Sequence, residues 1–276
     1  MNQALNIKFN TVIFVFIESY LNKNMINCTI ENEVAVVQLN NGKVNTISHA
    51  LARGLKETFL SLEKNEAVKG VILTGHTGAF SAGLDVLEQA EMDETMAKGF
   101  WVDYFDALKA MVCYPKPFVC AITGFAPAGG TILTLCADYR IMAQEPKHRI
   151  GMHEFKLSMQ IPELMMDIWC YTLGEQRAFQ ALQNSSLFSA EEALALNIVQ
   201  EIAPAEQVLE RAKAHMNKCL QVYAPVFIES KRLARKQLLK LVNRDSEKLA
   251  NEFVSFGSDP ELKRRIQLFA QQLKTK

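Results

Sequence analysis

The stretch P-F-V-C-A-I-T-G-F-A-P-A-G-G-T-I-L-T-L-C-A-D-Y-R-I-M-A, residues 117–143, decides the fold. Its opening, 117–124, is apolar almost throughout, the pattern of a strand covered on both faces of a sheet. A turn carrying Gly129 and Gly130 then runs into a helix over 127–138 that has almost no polar face, and Y-R-I-M-A (139–143) is a strand again. Strand, buried helix and strand in one short segment imply a right-handed crossover between parallel neighbours.

Upstream, the same alternation repeats. V-A-V-V-Q-L (34–39) is a strand, and the segment after it places Leu51, Leu55, Phe59 and Leu62 on one helical face. G-V-I-L-T-G (70–75) is the next strand, followed by an irregular stretch to about residue 90 and a helix over 93–113 that Pro115 stops. Downstream of residue 160 strand signals fade, and helices are expected over 162–173, 174–184, from the capping Ser189, and over 204–220, 225–242 and 259–273. The expected organisation is an α/β core over 25–200 and a helical C-terminal region over 201–276. Residues 1–24 are read as an N-terminal extension outside the core, with Met25 as a second start. The apolar run T-V-I-F-V-F-I (11–17) is too short to span a membrane, and Glu18 follows it where a signal peptide would continue.

Composition narrows the function. Lys plus Arg is 30 and Asp plus Glu is 30, so no excess of positive charge is available for nucleic acid. The six cysteines are scattered without a C-x-x-C pair, which predicts buried thiols in a reducing compartment. The five histidines form no zinc motif, and no metal is expected. The segment from Gly124 imitates a P-loop, but Gly130 stands where the phosphate-binding lysine belongs, and no dinucleotide-binding glycine fingerprint follows a strand.

Two glycine turns carry the chemistry instead. Gly129 and Gly130 are read either as a plain strand-to-helix turn or as a place where bare N–H groups face an oxyanion; F-S-A-G-L-D (80–85) supplies a second such turn. Together, A-F-S-A-G-L-D and A-I-T-G-F-A-P-A-G-G-T resemble the crotonase, or enoyl-CoA hydratase/isomerase, superfamily over residues 27–273. I-G-M-H-E-F-K-L (150–157) and F-V-S-F (253–256) extend the likeness toward its isomerase branch.

That resemblance implies a crotonase-like spiral of β-β-α units with a helical C-terminal trimerisation region, assembled as a homotrimer or dimer of trimers. It implies an acyl-CoA thioester as substrate, no metal and no separate cofactor, no nucleic-acid or membrane partner, and a cytoplasmic location if the source is bacterial. Backbone N–H groups of Leu84 and Gly129 would form the oxyanion hole. Val44, Asn45, Ser81 and Ala82 would lie along CoA. Hydratases of this superfamily carry a glutamate three residues after the oxyanion glycine, where this chain has Ile132, which is counted among the substrate-contacting residues. The second family glutamate matches Glu154.

One carboxylate suits moving a double bond better than adding water, since a single base removes a C2 proton and returns it at C4. The resemblance therefore implies isomerisation of 3-enoyl-CoA to trans-2-enoyl-CoA in fatty-acid β-oxidation. The rivals are another crotonase-family reaction, such as enoyl-CoA hydration or acyl-CoA hydrolysis, and a non-catalytic acyl-CoA-binding homologue.

Several neighbours have plainer readings. His153 is taken to face away from Glu154 on an extended chain, Asp85 to cap a helix, and Asp138 to tie loops together. Glu163 complements a helix dipole, with a second acid from that region left open. K-R-L-A-R-K (231–236) is a solvated helix face or, alternatively, a contact for CoA phosphates. Phe253, Phe256 and Lys274 fall where the family places an aromatic and a lysine against the nucleotide.

Overall fold

Residues 25–274 are described by the computed structural model, so the expectation for residues 1–24 lies outside them. Nine strands and twelve helices follow in chain order among these residues. They are β1 (Ile26–Glu31), β2 (Val34–Leu39), α1 (His49–Lys64), β3 (Gly70–Thr74), β4 (Gly78–Ala79), α2 (Val86–Gln89), α3 (Glu94–Cys113), β5 (Phe118–Ile122), β6 (Gly124–Pro127) and α4 (Gly129–Leu135). After these come β7 (Tyr139–Ala143), β8 (Ile150–Gly151), α5 (Glu163–Leu173), α6 (Glu175–Gln183), α7 (Ala190–Ala195), β9 (Glu201–Ala203), α8 (Val208–Leu220), α9 (Ala224–Ala234), α10 (Lys236–Val242), α11 (Ser246–Gly257) and α12 (Pro260–Lys274).

The large sheet has the order β1-β2-β3-β5-β7-β9, antiparallel only between β1 and β2, and β4, β6 and β8 form a small parallel sheet. Each of β3, β5 and β7 is followed by a short strand in the small sheet and then by helix, so the chain climbs as a spiral of β-β-α units.

Alternation along the strands explains why β5 reads as apolar throughout. Phe118, Cys120 and Ile122 point into the main core with Leu55, Phe59 and Tyr104, whereas Val119 and Ala121 point into a second layer with Ile72, Ile141, Val208 and Met216. Helix α8 supplies that second layer, and β9 pairs with β7, so the sheet and its cover extend past position 200.

Other departures have local causes. The glycine turn after β5 contains β6, whose four residues pair with β4 and β8. The helix expected over 225–242 breaks at Arg235 (φ −97°, ψ 10°), whose guanidinium donates to Asp138 Oδ1 at 2.8 Å and Cys136 O at 3.0 Å. Helix α11 was not foreseen as a helix; Asp245 caps it by accepting from Glu247 N and Lys248 N. Cys120 and Cys136 are buried free thiols, but Cys113 is exposed, because its position in the last turn of α3 faces outward. Among the described residues no helix is long and apolar enough to cross a membrane.

Candidate active site

A cavity of about 670 Å³ lies between the two glycine turns, α2, the turn over 153–162 and helices α11 and α12. Its first wall is built by the loop after β2 and the loop after β4. Ala82 N donates to Val44 O at 2.9 Å, Ile47 N to Gly83 O at 2.8 Å and Asp85 N to Ile47 O at 3.1 Å. This ladder brackets Leu84, and no hydrogen bond from Leu84 N is found among the described residues. Gly83 has φ +85°, and a Cβ on it would come within 3.2 Å of Ala128 Cβ, Gly129 N and Pro127 O. The first turn is thus pressed directly against the second.

The second wall begins at Ala128, whose N–H donates to Gly151 O at 2.8 Å. Thr131 Oγ1 donates to Ala126 O at 2.6 Å and accepts from Gly151 N at 2.8 Å, which ties the start of α4 to β8. Gly130 is required by close approach, since a Cβ there would stand 2.4 Å from Ser81 O. The Gly129 amide, at the first position of α4, has no carbonyl partner among the described residues. Two unengaged N–H groups therefore sit on abutting turns.

Strand β8 leads into a 3-10 turn, Glu154–Leu157, that delivers Glu154 to the cavity. Glu154 is 9% exposed, and its Oε2 has no hydrogen-bond partner among the described residues. Burial pushes its carboxyl from the usual 4.5 up to about 7, against the smaller opposing pull of its own and the His153 backbone amides. A carboxyl poised there can take up and return a proton near neutrality. The rest of the wall is largely apolar, with Leu87, Met92, Trp101, Met165 and Phe253 among its side chains. Among the described residues no group of three His, Cys, Asp or Glu side chains is placed to hold a metal.

The sequence model of the enoyl-CoA hydratase/isomerase family matches residues 29–276. The chain belongs to that family. It is 33% identical to mitochondrial enoyl-CoA delta isomerase 1 of Mus musculus over 244 residues, 88% of this chain and 84% of the relative. It is 36% identical to a putative enoyl-CoA hydratase of Thermus thermophilus over 191 residues, 67% of this chain and 73% of that one. The crystal structure of human mitochondrial Δ3-Δ2-enoyl-CoA isomerase superposes with a TM-score of 0.86 at 29% identity, covering 91% of this chain and 98% of the human one.

In this enoyl-CoA hydratase/isomerase family chain the residues singled out from the sequence separate into two groups. Val44, Ala82, Leu84 and Glu154 line the cavity, and Gly129 stands next to the lining residue Ala128. Asn45 and Ser81 do not reach it as side chains: both are fully buried, Asn45 Nδ2 donates to Phe80 O at 3.0 Å, and Ser81 Oγ donates to Asn45 O at 2.7 Å. They hold the loop behind the wall.

Ile132 is likewise removed from the cavity. It lies one helical turn past Gly129, fully buried in the main core and outside the cavity lining.

Other expectations change for structural reasons. Glu154 and His153 are not on an extended strand; the 3-10 turn brings both to the same cavity, and burial together with Lys156 lowers the pKa of His153. Lys231 and Arg235 are not a solvated face. Both are largely buried, and they grip Asp138 at 2.7 and 2.8 Å, so Asp138 does tie elements together. Asp85 caps α2 and also accepts from Thr46 Oγ1 at 2.9 Å. Glu163 pairs with Arg244, outside the cavity lining. Phe253 lines the cavity, Phe256 is exposed, and Lys274 pairs with Glu91 at 3.1 Å.

The sequence reading missed that α12 closes the cavity. Its Leu262, Ile266, Phe269 and Leu273 form an apolar stripe on an otherwise charged helix, a periodic signal present in the sequence.

Proposed function

We propose that this protein isomerises 3-enoyl-CoA to trans-2-enoyl-CoA. The observation that carries the reading is Glu154: a buried carboxyl with one unpartnered oxygen among the described residues and a pKa of about 7, in a largely apolar cavity beside two unengaged amides on the abutting turns.

The thioester oxygen accepts hydrogen bonds from Leu84 N–H and Gly129 N–H. Ionised Glu154 removes a proton from C2, and the electron pair of that C–H bond moves into a dienolate whose negative charge rests on the thioester oxygen. Glu154, now neutral, gives the proton to C4, and the double bond settles between C2 and C3 in conjugation with the carbonyl. No atom or electron is gained or lost, so the reaction calls for no metal or redox cofactor. Val44 and Ala82 offer backbone along the CoA arm, and the apolar wall receives the acyl chain. Such a step brings unsaturated acyl chains into β-oxidation.

The relatives bear isomerase and hydratase names alike, so the reaction is tested directly. Purified protein mixed with 3-enoyl-CoA should generate the ultraviolet absorbance of the conjugated thioester, and absence of that signal in folded protein would sink the assignment. The same reading carries assembly as a homotrimer or dimer of trimers, which light scattering measures.

A further inference from the structure

Helix α3 runs beneath the cavity and carries an aromatic cluster. The Phe100 and Tyr104 rings stack with centroids 5.8 Å apart, and Trp101, which lines the cavity, lies 6.1 Å from Tyr104. Tyr104 is fully buried, yet its hydroxyl has no hydrogen-bond partner among the described residues. Phenylalanine would fill the same space without stranding a polar atom, so the hydroxyl weakens the fold by its presence.

Its location suggests why it is there. A Cβ built on Gly129 would stand 3.3 Å from Tyr104 Oη and 3.1 Å from Ile47 Cδ1, which puts the hydroxyl at the junction of the two glycine turns. Glu154 is held against the same turn: Ala128, next to Gly129, lines the cavity with it, and Ala128 N donates to Gly151 O, three residues before Glu154, at 2.8 Å. Burial, with Cys136 and Glu154 adding to it, pushes Tyr104 well above its ordinary range, so the hydroxyl keeps its proton and remains a donor. Glu154 Oε2, a buried acceptor without a donor, complements it. The other groups bearing on the Glu154 carboxyl are its own and the His153 backbone amides. Tyr114 gives the contrast: its hydroxyl is also without a partner among the described residues, but its ring packs on Phe59 and under Lys231, and the side chains whose charge bears on it are Glu63 and Cys28, not Glu154.

We propose that Tyr104 is a positioning residue for Glu154, its hydroxyl donating a hydrogen bond to Oε2 when substrate fills the cavity. One carboxylate oxygen is then held while the other carries the proton from C2 to C4. The tyrosine proton stays on its oxygen throughout. This rests on Glu154 being the base.

The test compares Tyr104→Phe, Tyr114→Phe and Glu154→Gln in the 3-enoyl-CoA assay across pH. Tyr104→Phe should lower kcat by roughly 10- to 100-fold with KM nearly unchanged, because the lost contact acts on the base and not on CoA. Removing a donor to the ionised carboxylate should also move the midpoint of the kcat–pH curve upward by about one unit. Its Tm should equal or exceed that of the native protein, and Tyr114→Phe should leave rate and midpoint unchanged. A normal rate for Tyr104→Phe, beside a large loss for Glu154→Gln, would overturn the positioning role alone. A lower rate with an unmoved midpoint would overturn it too, since packing damage does not alter how Glu154 ionises. A normal rate for Glu154→Gln would instead overturn the base assignment.

Discussion

Replacing Glu154 with glutamine should slow the enzyme and stabilise it at the same time, in a pH-dependent way. In the unfolded chain the carboxyl ionises near its usual 4.5, while in the folded protein burial holds it at about 7. The raised value means that ionising Glu154 opposes folding. As pH rises from 4.5 the unfolded chain loses this proton first, and stability falls until the folded carboxyl also ionises near 7, beyond which the cost is constant. The gap of about 2.5 pH units, at about 1.4 kcal/mol each, gives a cost of about 3 kcal/mol.

Glutamine carries no such cost, and any constant penalty of its amide cancels when one variant is followed across pH. Urea unfolding at about pH 4.5 and about pH 8.5 should therefore show the Glu154→Gln stability, relative to native, rising by about 3 kcal/mol. In thermal melts this corresponds to a relative gain of roughly 6–12 °C for a chain of this size. Isomerisation should fall by at least about 10³-fold, since the amide cannot accept the C2 proton, while acyl-CoA affinity changes little. Native kcat should rise with pH through about 7. A stability difference that stays flat with pH would show that burial does not raise the Glu154 pKa, and the mechanism would lose the near-neutral carboxyl that both takes up and returns the proton.

Gly129→Pro removes one proposed oxyanion donor at a first-turn position where proline's φ is tolerated; turnover should drop by at least about 10²-fold, and a folded variant with full rate in the same assay would take Gly129 out of the mechanism. Native protein should hydrate crotonyl-CoA far more slowly than it isomerises 3-enoyl-CoA, and faster hydration would refute the isomerase reading. Because Ile132 is fully buried in the core, Ile132→Glu should cost several kcal/mol of stability in urea unfolding without creating a hydratase. Asp138→Ala leaves Lys231, already lowered to about 8 by burial, and Arg235 without their shared carboxylate; a loss of about 3–5 kcal/mol is expected by urea unfolding, whereas a neutral effect would mean the clamp is dispensable.

The parts of this fold that were legible in the sequence are those in which local pattern and long-range packing agree. Strand β5 reads correctly because both of its faces are buried, and α7 because Ser189 and Glu192 form a reciprocal cap. Strands β4 and β8 are two residues each, too short for any periodicity, and their existence depends on β6 lying between them. Glu154, Leu84 and Gly129 were singled out through motifs. The inner position of Ile132 was not, because α4 is buried on every side and no polar face in the sequence tells its cavity side from its core side. The burial of Lys231 escaped for a different reason: its partner Asp138 is 93 residues away.

Several unpaired polar atoms lie at or beside the candidate site, while two carboxylates elsewhere are fully matched. Asp103 receives Arg53 Nε at 3.0 Å, Lys56 Nζ at 2.5 Å and His49 Nε2 at 2.9 Å, and Asp138 receives Lys231 and Arg235. The Leu84 and Gly129 amides, Glu154 Oε2, His153 Nδ1 and Tyr104 Oη have no such partners among the described residues. A module that only bound acyl-CoA would need the backbone of Val44 and Ala82 and an apolar wall. It would gain nothing from a carboxyl held near pH 7 at a cost of about 3 kcal/mol. Gly83 and Gly130, where the turns approach too closely for a side chain, fix the two amides in place, so under the proposed mechanism the donors need not reorganise as charge develops. Stability spent on groups that only a reacting thioester can satisfy favours catalysis over binding, and the pH dependence of the Glu154→Gln stability measures that expenditure without any assay of turnover.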